Sequence, residues 1–70
     1  MAKTDKREFF GVNSTILQLD ALAFAKGGAR LAAHDMLAEL KRRDESMVDE
    51  VLSNLDAKER NYFRKSLRML

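Results

Sequence analysis

Residues 21–33 read Ala-Leu-Ala-Phe-Ala-Lys-Gly-Gly-Ala-Arg-Leu-Ala-Ala, with Ala21, Ala25, Ala29 and Ala33 recurring every fourth position on either side of Gly27-Gly28. Residues four apart lie one above another on a helix, so the four alanines form a stripe where another backbone can come close. The stretch therefore predicts helix-on-helix packing. Two glycines inside a helix cost about 2 kcal/mol relative to alanine, which argues for a break. A second helix starting after them would have only Gly28 as a cap, with no Ser, Thr, Asp or Asn available. On that balance the expectation is one long helix, kinked or closely crossed at the glycines.

Helical periodicity extends outward from this stretch in both directions. A start is expected at Ser14 or Thr15, where Thr15-Ile-Leu-Gln18 has the form of a capping box. The pattern continues to Leu40 and ends in Lys41-Arg42-Arg43, basic residues that suit a helix C-terminus. On a wheel of about 100° per residue the segment shows two apolar stripes. One holds Leu19, Leu22, Ala29, Ala33, Met36, Leu37 and Leu40; the other holds Leu17, Phe24, Gly28, Leu31 and Ala38. A helix with two apolar faces needs two partners.

Beyond it, Asp44-Glu45-Ser46 reads as a turn with acidic residues at a new helix N-terminus. Met47, Val48, Val51, Leu52 and Leu55 keep helical spacing, and Asp56-Ala-Lys-Glu59 is a second capping-box pattern where the helix restarts or bends. Phe63, Leu67 and Leu70 line the apolar side of the last segment. Residues 1–8 are polar and expected to form a flexible arm. Phe9, Phe10 and Val12 are expected to close one end of the core.

Seventy residues make one small domain, which buries only about 60% of its unfolded surface. Cysteine is absent, so no disulfide or thiolate metal site supports it. Of 32 hydrophobic residues nine are alanine and one is Met1, leaving 22 large apolar side chains for a modest core. Self-association is the remaining route to stability. With no proline, three glycines and 34% charged residues, the composition is that of an all-helical soluble chain. No apolar run approaches the ~20 residues of a membrane span, and the N-terminus lacks the apolar region of a signal peptide. A cytoplasmic location is expected.

Little in the chain points to catalysis. His34 is the one histidine, and Ser14, Ser46, Ser53 and Ser66 stand in no glycine-rich elbow. Asp44, Glu45, Asp49 and Glu50 lack the spacing and glycine of an EF-hand loop and read as a solvated acidic face. No catalytic, cofactor or metal residue is expected, and no small-molecule substrate. The last segment differs: Arg60, Arg64 and Arg68 stack four apart, Lys58 and Lys65 extend their face, and Tyr62 and Met69 edge it. Like charges so spaced are mildly destabilising, and an anionic neighbour would relieve them. Leu55-Asp-Ala-Lys-Glu-Arg60 resembles the leucine-aspartate-x-x-glutamate-arginine helix starts of many bacterial regulators.

The expected architecture is all-α: an antiparallel helical hairpin of a long helix at about 15–43 and a second helical region at about 46–69. Two copies would pair into a four-helix-bundle-like homodimer through Leu22, Ala25, Ala29, Ala33, Met36 and Leu40. The expected function is a small regulatory or inhibitory module that binds a larger protein, of a size that suits phage or mobile-element origin. Its contact surface would be Arg42, Arg43, Arg60, Tyr62, Arg64, Lys65 and Arg68. The alternative is a small dimeric DNA-binding regulator using the same basic residues on phosphates.

Overall fold

Asn13 opens the first of the four helices described in full: its side-chain carbonyl accepts from the Thr15 N–H at 2.7 Å, and helix α1 runs Ser14–Lys26. The structure is a computed structural model that describes Phe9 and residues 11–68. Three further helices follow: α2 Arg30–Arg43, α3 Glu45–Leu52 and α4 Ala57–Arg68. The described residues contain no strand. The expected arm at 1–8, Phe10, Met69 and Leu70 lie outside the described residues.

The long helix is broken, contrary to expectation. Gly27 is the C-cap of α1, and Gly28 follows it with φ +87°, a left-handed conformation that costs an L-residue with a Cβ about 1–2 kcal/mol. The Ala29 N–H donates to the Phe24 carbonyl at 2.9 Å and the Gly28 N–H to the Ala25 carbonyl at 3.3 Å. This double closure is the Schellman motif, with glycine where the chain turns left-handed. The glycine pair is thus a stop signal, and its cost as helix interior never arises. α2 does begin without a side-chain cap, at Ala29. The absence of a cap was legible; its weight was not.

The other joints follow local chemistry. Asp44 ends α2 and caps α3 at once, its carboxylate accepting from the Ser46 N–H at 3.1 Å and the Ser46 hydroxyl at 2.8 Å. The Asp56 carboxylate accepts from the Glu59 N–H at 3.0 Å and starts α4 after the turn at 53–56. The Thr15–Gln18 box does not form, because Asn13 has taken the capping position. Gln18 instead donates to the Met47 carbonyl and to Glu50, both at 3.1 Å, and ties α1 to α3.

α2 packs on all three other helices, α1 and α4 each also pack on α3, and the most extensive contact is between α1 and α2. The core is Leu17, Ala21 and Ala25 from α1; Ala33, Leu37, Ala38 and Leu40 from α2; Val48, Val51 and Leu52 from α3; Leu55 from the turn; and Phe63 and Leu67 from α4. Ala21, Ala25 and Ala33 are buried on the two most closely packed helices, so the alanine ladder serves a seam inside the chain. Phe9 and Val12 pack against that core as expected, along with Leu22, Met36 and Met47. No described buried polar side-chain atom lacks a hydrogen-bond partner. The radius of gyration is 11.2 Å, close to the ~11 Å of a well-packed chain this long.

Arg43 fastens the segment ahead of α1 to the end of α2. Its guanidinium donates to the Val12 carbonyl at 2.6 Å, the Phe9 carbonyl at 2.5 Å, the Ser14 hydroxyl at 3.1 Å and the Glu39 carboxylate at 3.0 Å. Arg42 reaches the same carboxylate at 2.9 Å. Burial alone would raise the Glu39 carboxyl, but hydrogen bonds from Arg43 and Arg42 outweigh it and hold the group below its ordinary value.

Candidate functional site

Phe63 and Leu67 are the buried side of α4, and they fix which face is left outside. Lys58, Asn61, Tyr62 and Lys65 fall at i, i+3, i+4 and i+7, so they form one outward stripe, all exposed, with Arg64 and Arg68 exposed beside it. The helix carries five cations and one acid, a net +4 against +2 for the whole chain, so the rest of the protein is net −2. Its one acid, Glu59, is neutralised from α2. Arg30 donates to both Glu59 oxygens, at 3.0 and 2.9 Å, in a fork-to-fork pair. That hydrogen bond lowers the Glu59 carboxyl and raises the Arg30 guanidinium relative to their ordinary values. The capping box at Asp56–Glu59 is therefore half made, its second arm diverted to Arg30.

The same guanidinium lies over the Tyr62 ring, 4.4 Å from its centroid, and Tyr62 meets Phe63 edge-on at 5.0 Å and 80°. A cation on one side and an aromatic edge beside it hold the ring in place. An open groove of about 380 Å³ runs past it, lined by Arg30, Lys58, Asn61, Tyr62, Lys65 and Ser66. On the other flank of α4 a cleft of about 170 Å³ separates it from α3. Glu45 and Asp49 stand on one wall, Arg64 and Arg68 on the other, with Lys41 between the helices. The Lys41 ammonium also donates to the Leu67 carbonyl at 2.9 Å and steadies the last turn of α4. Lys58, Arg64, Lys65 and Arg68 form no ion pair with any described residue.

The structure divides the expected contact residues. Tyr62, Arg64, Lys65 and Arg68 share the exposed surface of α4. Arg60 is half-buried and donates to the Leu55 carbonyl at 3.2 Å, closing the turn. Arg42 and Arg43 lie at the end of α2 on Glu39, so they are structural groups of another region. Asn61 and Arg30 were missed. Asn61 was legible from its spacing with Lys58 and Lys65. Arg30 was hidden by the assumed continuity of the first helix, which left it no defined direction.

The expected dimer residues are also divided. Ala25, Ala33 and Leu40 are buried within the chain, Leu22 and Met36 are half-buried against its core, and Ala29 is exposed at the start of α2. Three of the six are therefore already covered by the chain's own helices. Among the described residues no group of three or more His, Asp or Glu side chains is placed to hold a metal ion. No described helix is long and apolar enough to cross a membrane. No family model, curated protein or solved structure matches the chain.

Proposed function

We propose that this protein is a small regulatory module that binds a larger protein and blocks or modulates it, with the outer surface of α3 and α4 as the contact. The observation that carries this reading is that acidic and basic side chains among the described residues line opposite walls of one cleft without forming an ion pair. α3 has three acids and no base, α4 has five cations, and the two helices lie side by side. A surface with an acidic stripe beside a basic one fits a protein partner of complementary mixed charge. Tyr62, already held by Arg30, adds a rigid aromatic at low entropic cost, the residue type favoured at such contacts. Pairing of two copies into a dimer is part of the same reading, and a cytoplasmic setting suits a chain without cysteine.

A DNA-binding regulator is the second reading, and one observation favours it. α3 and α4 are two helices joined by the four-residue turn 53–56, and the second presents lysine, asparagine and tyrosine outward. The charge on α3 weighs against it. A helix in that position crosses the phosphate backbone, and here it would bring Asp44, Glu45, Asp49 and Glu50 to the phosphates.

Two measurements test the proposal. Arg64→Glu with Arg68→Glu is expected to abolish capture of a host protein that the wild-type chain retains; retention of every captured protein refutes the contact surface. Random duplex DNA at low salt is expected to show no mobility shift. A shift that collapses by orders of magnitude between low and physiological salt would replace the proposal with the second reading.

A further inference from the structure

Lys58, Asn61, Tyr62 and Lys65 stand at the i, i+3, i+4 and i+7 positions through which one helix lies along another, and all four are exposed. At about 1.5 Å and 100° per residue, the two lysines are about 10.5 Å apart along the axis and about 20° apart around it. Between them the Tyr62 ring is held by the Arg30 guanidinium and by the edge-on contact with Phe63. Arg30 also walls the groove of about 380 Å³ beside the row. Its charge is already matched by Glu59, so the charge left over along the groove is that of Lys58 and Lys65. The row is thus positive at both ends with a fixed aromatic ring between.

We propose that this row, with the groove beside it, is the docking site for an acidic helix of the partner protein. That helix carries carboxylates seven residues apart and an apolar side chain between them, over Tyr62. Charge complementarity and spacing select it together. A partner helix has the same rise per residue, so its carboxylates at i and i+7 come level with both lysines. Its residue at i+3 or i+4 then meets the ring. A second copy of the row is repelled by the same lysines. A nucleic-acid duplex is the poorer occupant, because one spread across α4 brings phosphates toward Glu45 and Asp49 on the α3 side. A helix in the groove stays on the other flank. The inference rests on the protein-partner reading above and adds the partner's chemistry, on a flank of α4 that Arg64 and Arg68 do not line.

The test is a titration of the full chain, at physiological salt, with a synthetic alanine-based helical peptide. The peptide has glutamates seven residues apart, a leucine four residues after the first, and no tyrosine or tryptophan. Tyr62, the one tyrosine of the chain, reports binding through its emission. The peptide is expected to change that emission and to bind at least about tenfold more tightly than its glutamine counterpart. Lys58→Glu with Lys65→Glu is expected to weaken binding at least about tenfold, and Arg64→Gln with Arg68→Gln by less than about threefold, since exposed charges off the row are screened. Both lysines are exposed, and Lys58→Gln with Lys65→Gln repeats the test should the reversed pair unfold. Unchanged emission, equal affinity for the two peptides, or equal losses in the lysine and arginine variants overturns the proposal. If the Arg64→Glu, Arg68→Glu chain still loses its captured partner, that failure belongs to the groove alone. Tighter binding of random duplex DNA, lost in the same lysine variants, would assign the row to nucleic acid and overturn both readings.

Discussion

Gly27 and Gly28 are adjacent and chemically identical, yet substitution by alanine is expected to act in opposite senses at the two. Gly27 sits at φ −82°, ψ −1°, an ordinary right-handed conformation. A Cβ there would lie 3.3 Å from the Ala23 carbonyl oxygen and 3.7 Å from that of Phe24, a tight but local contact. Against it stands the loss of backbone freedom from the unfolded chain, which favours alanine by about 0.4–1 kcal/mol. Gly27→Ala is thus expected to be neutral or slightly stabilising. Gly28 has open space around its would-be Cβ but a φ of +87°. Its entire cost is left-handed backbone strain, about 1–2 kcal/mol. For a domain of this size that lowers the melting temperature by roughly 4–16 °C. Asparagine at the same position, which tolerates the left-handed region, is expected to recover part of the loss. Thermal unfolding followed by circular dichroism checks all three variants. A continuous helix through the glycines predicts the opposite: each alanine would stabilise by about 1 kcal/mol. Stabilisation by Gly28→Ala would therefore refute the break and everything that depends on it.

Arg43→Ala removes one guanidinium from two carbonyls, a hydroxyl and a carboxylate, and is expected to cost about 2–4 kcal/mol in chemical denaturation. Arg43→Lys should restore less than half, since an ammonium cannot fork to the same groups; full restoration would refute the geometry. Phe63→Ala empties the largest fully buried side-chain site and is expected to cost about 3–5 kcal/mol, a large part of the total for 70 residues, so its far-ultraviolet helical signal should be depressed at 37 °C. Glu39 and Glu59 both titrate below the ordinary 4.5 in the folded chain, so their stabilisation is present above that value and is lost as pH falls through the lower folded values. The melting temperature should accordingly be flat above about pH 5.5 and fall below about pH 4.5, with a shallower fall in the Glu39→Gln, Glu59→Gln double variant.

The sequence made some features legible and hid others for identifiable reasons. Apolar spacing at Val48, Val51, Leu52, Phe63 and Leu67 identified the buried side of α3 and α4, because helical periodicity and burial there point the same way. Asp44 and Asp56 were legible as boundaries because each cap uses atoms within three residues of itself. The role of the glycine pair is not legible without a conformation: composition counts glycine as a cost to a helix interior, whereas here it supplies the positive φ of one residue, Gly28. The basic residues were the least legible. Arg42, Arg43, Arg60 and Arg64 look alike in a sequence, but only packing decides which find a carbonyl or carboxylate within the chain. Arg43 finds carbonyls 31 and 34 residues away, a pairing no local pattern carries.

The glycine break and the α4 surface are also physically connected. Arg30 is the first residue of α2, two positions after Gly28, and the Schellman turn sets the direction in which its guanidinium leaves the helix. That direction brings it to Glu59 and over Tyr62. A cation at a helix N-terminus is opposed by the dipole, and the Glu59 carboxylate from α4 supplies the negative charge that α2 lacks there. Tyr62 is the one tyrosine in a chain without tryptophan, so its intrinsic fluorescence reports on this corner alone. Gly28→Ala should alter the intensity of that emission in the folded state, and Gly27→Ala should leave it unchanged. Glu59→Gln should alter it as well, and the Gly28→Ala, Glu59→Gln pair should be non-additive in thermal stability because both act through Arg30. Additive losses, with emission from folded Gly28→Ala identical to wild type, would show that Arg30 finds Tyr62 without the turn. The link from the alanine–glycine stretch to the partner surface would then be broken.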